Sequence, residues 1–214
     1  MNNQDANLKL SSKGQTKLVS SRDRTAWIAK TAILSALSII LMYLEFPIPL
    51  MPVFLKFDFA DLPALLAAFS IGPGTGVLVQ LIRNIAHLPA SHTFYTGELA
   101  NFLVGGSFVF VAGMIYRRKK TKRMAIIGLT CGGLVMTIVA VAFNYYVNIP
   151  FYSKVMNLPL EGIISMVNAV GNTLVHDLWT LLLFVFVPFN ILKSLVISIF
   201  MLLIYKKLSP LLHR

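Results

Sequence analysis

Two pairs of polar residues break otherwise apolar runs in the C-terminal half of this chain: Asn144 with Asn148, and Asn190 with Lys193. Residues three or four apart share one helix face, so each pair would present its polar groups together. An asparagine amide carries donors and an acceptor, and a lysine ammonium carries three donors. Inside a membrane span such groups are costly, and they mark a site by default when they cannot reach an interface. The combination suits a ligand with carbonyl oxygens and ring nitrogens along one edge. The competing reading has the asparagines capping or gluing helices and Lys193 snorkelling outward. Aromatic residues crowd the same expected end, among them Phe54, Phe57, Phe59, Phe94, Tyr95, Tyr145, Tyr146, Phe151, Tyr152 and Phe189. Most fit an interfacial belt, and a few beside the amides would suit a flat heteroaromatic ring.

Catalytic chemistry lacks its parts. There is no G-x-x-x-x-G-K-[ST] loop for a nucleotide, no H-E-x-x-H and no G-x-S-x-G. His87, His92, His176 and His213 form no cluster in sequence, and His87 and His92 read as loop-end surface groups. The lone Cys131 excludes an intramolecular disulfide and a cysteine-rich metal site. No cofactor is expected, and the chain does not read as an enzyme.

The elements that would position the polar pairs are membrane helices. The composition is 57% hydrophobic and 13% charged, with a mean hydropathy of +0.75, too apolar for a soluble domain to bury. A length of 214 residues leaves room for about six spans of roughly 20 residues each. The formal charge of +11 would suggest nucleic acid on a soluble protein, but its placement argues against that partner and for a lipid bilayer. Six lysines and arginines lie between Lys9 and Lys30, six between Arg117 and Arg123, and three at Lys206, Lys207 and Arg214, out of 19. Basic residues beside spans face the cytoplasm.

Residues 1–24 read as a flexible cytoplasmic tail. Spans are expected from Thr25 to about Phe46, from Asp61 to about Ile71, from Thr75 to about Leu88, from Glu98 to Tyr116 and from Met124 to Ile149. Asp61 ahead of Pro63 has the arrangement of a helix N-cap with proline in the first turn. Gln80, Arg83, Asn84 and His87 make the third segment polar for a span, so it should face protein or a water-filled cavity. Ile163, Met166, Val167, Val170 and Leu174 predict a short amphipathic helix at the outer surface. The sixth span begins either at Pro188, the favoured reading, or near Asp177 with a kink at the proline. The expected fold is an all-α membrane protein, a compact bundle of six transmembrane helices over residues 25–208 with both termini cytoplasmic. Its extracellular loops would lie near 47–62, 88–97 and 151–187. Ala32 and Ala36, in a small-xxx-small pattern on the first span, would let another helix approach closely.

Five segments carry a resemblance: FPIPLMPVFLKFDFADLPAL at 46–65, IGPGTG at 71–76, GELANFLVGG at 97–106, NYYVNIPFY at 144–152 and PFNILK at 188–193. In that order they resemble the riboflavin-specific S component of the energy-coupling factor (ECF) importers of Gram-positive bacteria, over about residues 25–208. The resemblance implies a multi-pass subunit of a bacterial cell membrane that captures riboflavin outside. It would then dock on a transmembrane scaffold subunit with two ATPase subunits. It also implies that Asn144, Asn190 and Lys193 bind the isoalloxazine edge, that Val53, Phe54 and Glu98 line the pocket, and that Ala32 and Ala36 contact the scaffold. The stretch between NYYVNIPFY and PFNILK is longer than the family pattern implies. Rival readings are an S component or stand-alone permease for another vitamin or a flavin nucleotide, and a membrane enzyme acting on lipid substrates.

Overall fold

The computed structural model describes residues 21–212 apart from Val53 and His92, with side chains described as far as Ile204. Helix α1 (Ser21–Tyr43) leads into a short antiparallel ladder of β1 (Phe46–Pro47) and β2 (Lys56–Phe57), in which Phe46 pairs with Phe57 and Pro47 with Lys56. Helices α2 (Asp61–Ser70) and α3 (Pro73–His87) follow, meeting at Gly72, and a 3-10 turn leads to α4 (Thr96–Arg118). Helix α5 (Lys122–Phe143) runs through a π-helical turn (Asn144–Asn148) into α6 (Ile149–Val155), and α7 (Leu160–Ala169) stands apart. Finally α8 (Leu178–Leu181) passes through a second π-helical turn (Leu182–Phe186) into α9 (Val187–Leu212).

Among the described residues, four helical runs are long and apolar enough to cross a membrane: Ser21–Tyr43, Thr96–Arg118, Lys122–Val155 and Leu178–Ile204. The second and third expected spans are shorter, at 10 and 15 residues. At ~1.5 Å per residue neither covers a hydrocarbon layer of ~30 Å by itself. Both are instead packed into the protein. Seven of the ten α2 residues are buried, from Asp61 to Phe69, and Arg83 and Gln80 of α3 are fully enclosed. The polar third segment therefore faces protein, as its composition implied.

Two expectations are corrected at helix starts. Asp61 is not an N-cap: Ala60 holds that position without a side-chain bond, and the Asp61 carboxylate is spent on α3. Asp58 shapes the local turn, its Oδ1 accepting from the Ala60 N–H at 2.8 Å. The last span begins at Leu178 rather than Pro188. Asp177 and Thr180 form a capping box there, and the bonds from Thr180 hold the Asp177 carboxyl below the usual carboxylate range. Pro188 has no N–H for the preceding turn. The chain accommodates it through the π-helical turn, and the Phe184 carbonyl, four residues earlier, accepts from Asn172 Nδ2 at 3.4 Å. The expected loop 151–187 thus contains most of α6, all of α7 and α8, and the whole of the second π turn.

Helix α1 buries Thr31, Ser35, Ser38 and Met42. Ser38 Oγ donates to the Ala60 carbonyl at 2.7 Å and Trp27 Nε1 to Thr75 Oγ1 at 3.1 Å, tying α1 to both ends of the α2–α3 pair. The first loop is anchored by rings: Phe57 meets Phe46 and Phe59 at 5.4 and 5.2 Å between centroids, and Phe59 meets Phe200 of α9 at 5.1 Å.

Gly105 is where α4 comes closest to the polar interior. A Cβ there would lie 2.8 Å from Asp61 Oδ1 and 2.9 Å from Gln80 Nε2, whereas at Gly106 its nearest neighbour would be a Phe102 ring carbon at 3.9 Å. Gly105→Ala should therefore lower stability by about 1–3 kcal/mol through overpacking, while Gly106→Ala changes it by no more than about 0.5 kcal/mol. Thermal unfolding of the two purified variants in detergent tests this; equal melting shifts would mean that α4 does not sit against Asp61.

Candidate functional site

A cavity of about 500 Å³ opens between the first loop, the α3–α4 connection and the π-helical turns of the two long C-terminal helices. That volume lies within the ~300–1,000 Å³ of small-molecule sites. Most of its wall is apolar, including Met42, Leu55, Val104, Met136, Phe186 and Phe189. Asn144, Asn190, Lys193, Phe54 and Glu98, singled out from the sequence, all line it. Val53 lies outside the described residues. Ala32 and Ala36 are elsewhere, exposed on α1.

Asn144 and Asn148 bound the first π-helical turn and Asn190 follows the second by one helical turn; such turns recur at functional sites. Asn144 Nδ2 donates to the Ala140 carbonyl and Asn190 Nδ2 to the Phe186 carbonyl, each at 2.8 Å. Asn144 Oδ1 accepts from Asn148 Nδ2 at 3.0 Å. Asn148 Oδ1, buried in the cavity wall, has no hydrogen-bond partner among the described residues. Each of these bonds stays within one helical run, so none of them glues a second helix, and one acceptor is left over. Asn148 also lines the cavity; the sequence marked it with Asn144 as a polar pair on one face, while the resemblance assigned it no ligand contact.

Lys193 does not snorkel outward. Only 4% exposed, its Nζ lies 2.8 Å from Asp58 Oδ2 and 3.5 Å from Asp61 Oδ2. Arg83 completes the group, with Nη2 2.8 Å from Asp61 Oδ1 and Nη1 3.8 Å from Asp58 Oδ1. Gln80 Nε2 adds a bond to Asp61 Oδ1 at 2.7 Å, and Arg83 Nη2 reaches Asn101 Oδ1 at 3.4 Å. Two acids and two bases therefore neutralise one another in the interior, and the Asp58–Lys193 edge of the quartet is exposed to the cavity. Asp58 was legible only as a polar interruption of the loop, because its partner stands 135 residues away.

Across the cavity, Glu98 Oε1 lies 3.1 Å from His87 Nδ1, and Ser91 Oγ donates to Glu98 Oε2 at 2.7 Å. His87 is thus no free surface group: its side chain is 12% exposed and its ring lies 5.1 Å from that of Tyr43. At the cavity mouth Lys56 pairs with Glu45. Among the described residues no three metal-ligating side chains gather.

The family model described as "ECF transporter, substrate-specific component" matches residues 27–205. The chain belongs to that family. It is 37% identical over 183 residues to the riboflavin transporter RibU of Staphylococcus aureus, covering 86% of this chain and 90% of that protein. The riboflavin transporter FmnP of Bacillus subtilis is 29% identical, covering 84% of this chain and 90% of its own length. A solved structure of the S component of a bacterial ECF transporter is 34% identical and superposes with a TM-score of 0.69, covering 89% of this chain and 99% of that one. A substrate-specific component of this kind is a membrane protein and a transporter part, not an enzyme.

The ion quartet makes a direct prediction. Asp58→Asn leaves two buried cations facing one carboxylate and should cost about 3–5 kcal/mol, and combining it with Lys193→Met, which removes the stranded charge, should recover most of that loss. Melting temperatures of the two singles and the double decide it; strictly additive losses would mean that the pair is not coupled.

Proposed function

We propose that this substrate-specific component binds riboflavin in the cavity and hands it to an ATP-driven partner. The observation that carries the reading is one apolar cavity holding the amides of Asn144, Asn148 and Asn190 beside the Lys193 ammonium. The pyrimidine edge of an isoalloxazine alternates carbonyl oxygens, ring nitrogen and an imide N–H. Lys193 donates to a carbonyl oxygen, the free Asn148 acceptor takes the imide hydrogen, and Asn144 and Asn190 bound the same edge. Phe54, with Val53 beside it, covers the ring from the first loop, and Glu98 faces the ligand from the start of α4. The names of the RibU and FmnP relatives point to the same ligand.

Counting the short α2 and α3 as two spans shielded from lipid by the other helices, the chain crosses the membrane six times, with both termini in the cytoplasm. This topology is supported by the basic run from Arg117 to Arg123 between α4 and α5 and by the basic residues at both chain ends. Of the expected tail 1–24, residues 21–24 form the first turn of α1 and the rest lies outside the described residues. The chain lacks a nucleotide-binding loop, so energy enters through partners: a transmembrane scaffold subunit and two ATPase subunits in a bacterial cell membrane. Ala32 and Ala36, one turn apart on the exposed side of α1, form the contact with the scaffold.

Binding is tested by flavin-fluorescence titration of the purified protein, which should also be yellow from co-purified ligand. Asn144→Ala and Asn148→Ala should each weaken riboflavin binding by about 1–3 kcal/mol, or about fivefold to a hundredfold. Unchanged titrations for both would remove the amides from the site. For docking, Ala32→Leu with Ala36→Leu should leave riboflavin binding intact while uptake by cells and co-purification of the scaffold fall together; normal uptake with normal recovery of the complex would make this face a lipid contact.

A further inference from the structure

The charged groups around the cavity do not balance. Asp58 is matched within the quartet by Lys193 and Arg83, and Glu45 is matched by Lys56. Glu98 is left. It is 7% exposed, and its partners are the imidazole of His87 and the hydroxyl of Ser91, with no lysine or arginine in ion-pair contact among the described residues. With neutral imidazole, the cavity wall therefore carries one uncompensated carboxylate, placed on the α3–α4 side, while the amides and Lys193 occupy the side built by α5 and α9.

We propose that Glu98 is the residue that makes this site select the neutral vitamin over its phosphate monoester, FMN. The proposal rests on the riboflavin reading above. A flavin has two chemically distinct ends. The heteroaromatic edge needs both donors and acceptors, which the amides and Lys193 supply. The ribityl chain carries hydroxyls that can donate, and an ionised carboxylate accepts only. With the ring held by the amide wall, the polyol runs toward Glu98 and donates to it. Esterifying its terminal hydroxyl removes one donor and adds close to two negative charges. Next to a shielded carboxylate, a like charge is strongly disfavoured because little water is present to screen it. His87 and Ser91 keep the carboxylate aimed but do not neutralise it. The Lys56 ammonium, which with Lys193 makes up the lysines of the cavity wall, is already held by Glu45.

The test compares riboflavin and FMN in fluorescence titrations of the purified full chain at pH 8, where free imidazole is neutral and the phosphate is a dianion. The wild type should bind riboflavin the more tightly. Glu98→Gln keeps the size and a hydrogen-bonding group but removes the charge, and should narrow the preference by about tenfold or more, with FMN gaining relative to riboflavin. Glu98→Asp keeps the charge and should keep the preference. His87→Arg, which sets a permanent cation beside the carboxylate, should move the ratio in the same direction as Glu98→Gln and decides the matter if Glu98→Gln does not fold. Variants that still bind riboflavin but show the wild-type ratio of affinities overturn the role of Glu98 and leave the ligand reading standing. A folded wild type that binds no riboflavin overturns the ligand reading itself, and this proposal with it.

Discussion

The architecture hangs on the burial of four charges that cannot be buried separately. Asp58, Asp61, Arg83 and Lys193 come from the first loop, α2, α3 and α9, and each is at most 4% exposed. Removing any one from water without its partners would cost several kcal/mol, so these four segments have to assemble in one relative placement. The same requirement reaches α4, because Asp61 and Gln80 leave room only for the glycine at 105. The quartet is neutral as a unit. Its Asp58–Lys193 edge thus forms part of the cavity wall while adding no net charge to it.

Much of this was legible in the sequence, though unevenly. The long apolar runs, the ordered loop, the polar character of the third segment and the amphipathic helix before the last span follow from hydropathy and spacing alone. Periodicity is a local signal, and it could not show what 61, 83 and 58 do for residue 193. Asp61 stood where N-caps stand, and local grammar assigned it that role. In the fold, two buried cations outbid the backbone N–H groups for its oxygens. His87 was read as surface because it closes a helix, yet the connection to α4 folds back and brings Glu98 against it.

Proline misled in a similar way. A proline is a good first residue for a helix, and starting the last span at Pro188 was the economical reading. The alternative required the chain to tolerate proline inside a continuous helix. The structure does so by widening the preceding turn to π geometry and by lending the Asn172 amide to the Phe184 carbonyl. At the π turn Asn144–Asn148 the Asn144 side chain adds a second bond to the Ala140 carbonyl, which already accepts the Asn144 N–H. In both helices the irregularity lies where the helix borders the cavity. Residue types revealed the amides; the widened turns have no sequence signature of comparable strength.

Helix α1 separates the two tasks of the molecule. Its hydroxyl side, Thr31, Ser35 and Ser38, packs inward and ties it to α2 and α3, and at its far end Met42 reaches the cavity wall. Only 22% of its apolar window is buried, against 39–44% in the other three long helical runs, so it offers the largest share of its surface to whatever surrounds the protein. Lipid tails are as apolar as leucine and give no reason to place small residues there; small residues matter where another backbone must come close. Ala36 and Met42 are six residues apart, about 9 Å along the axis. The outward methyls and the cavity are thereby carried on one rigid element yet share no side chain. Substitutions on the alanine face can therefore change what approaches the helix without altering what the cavity holds.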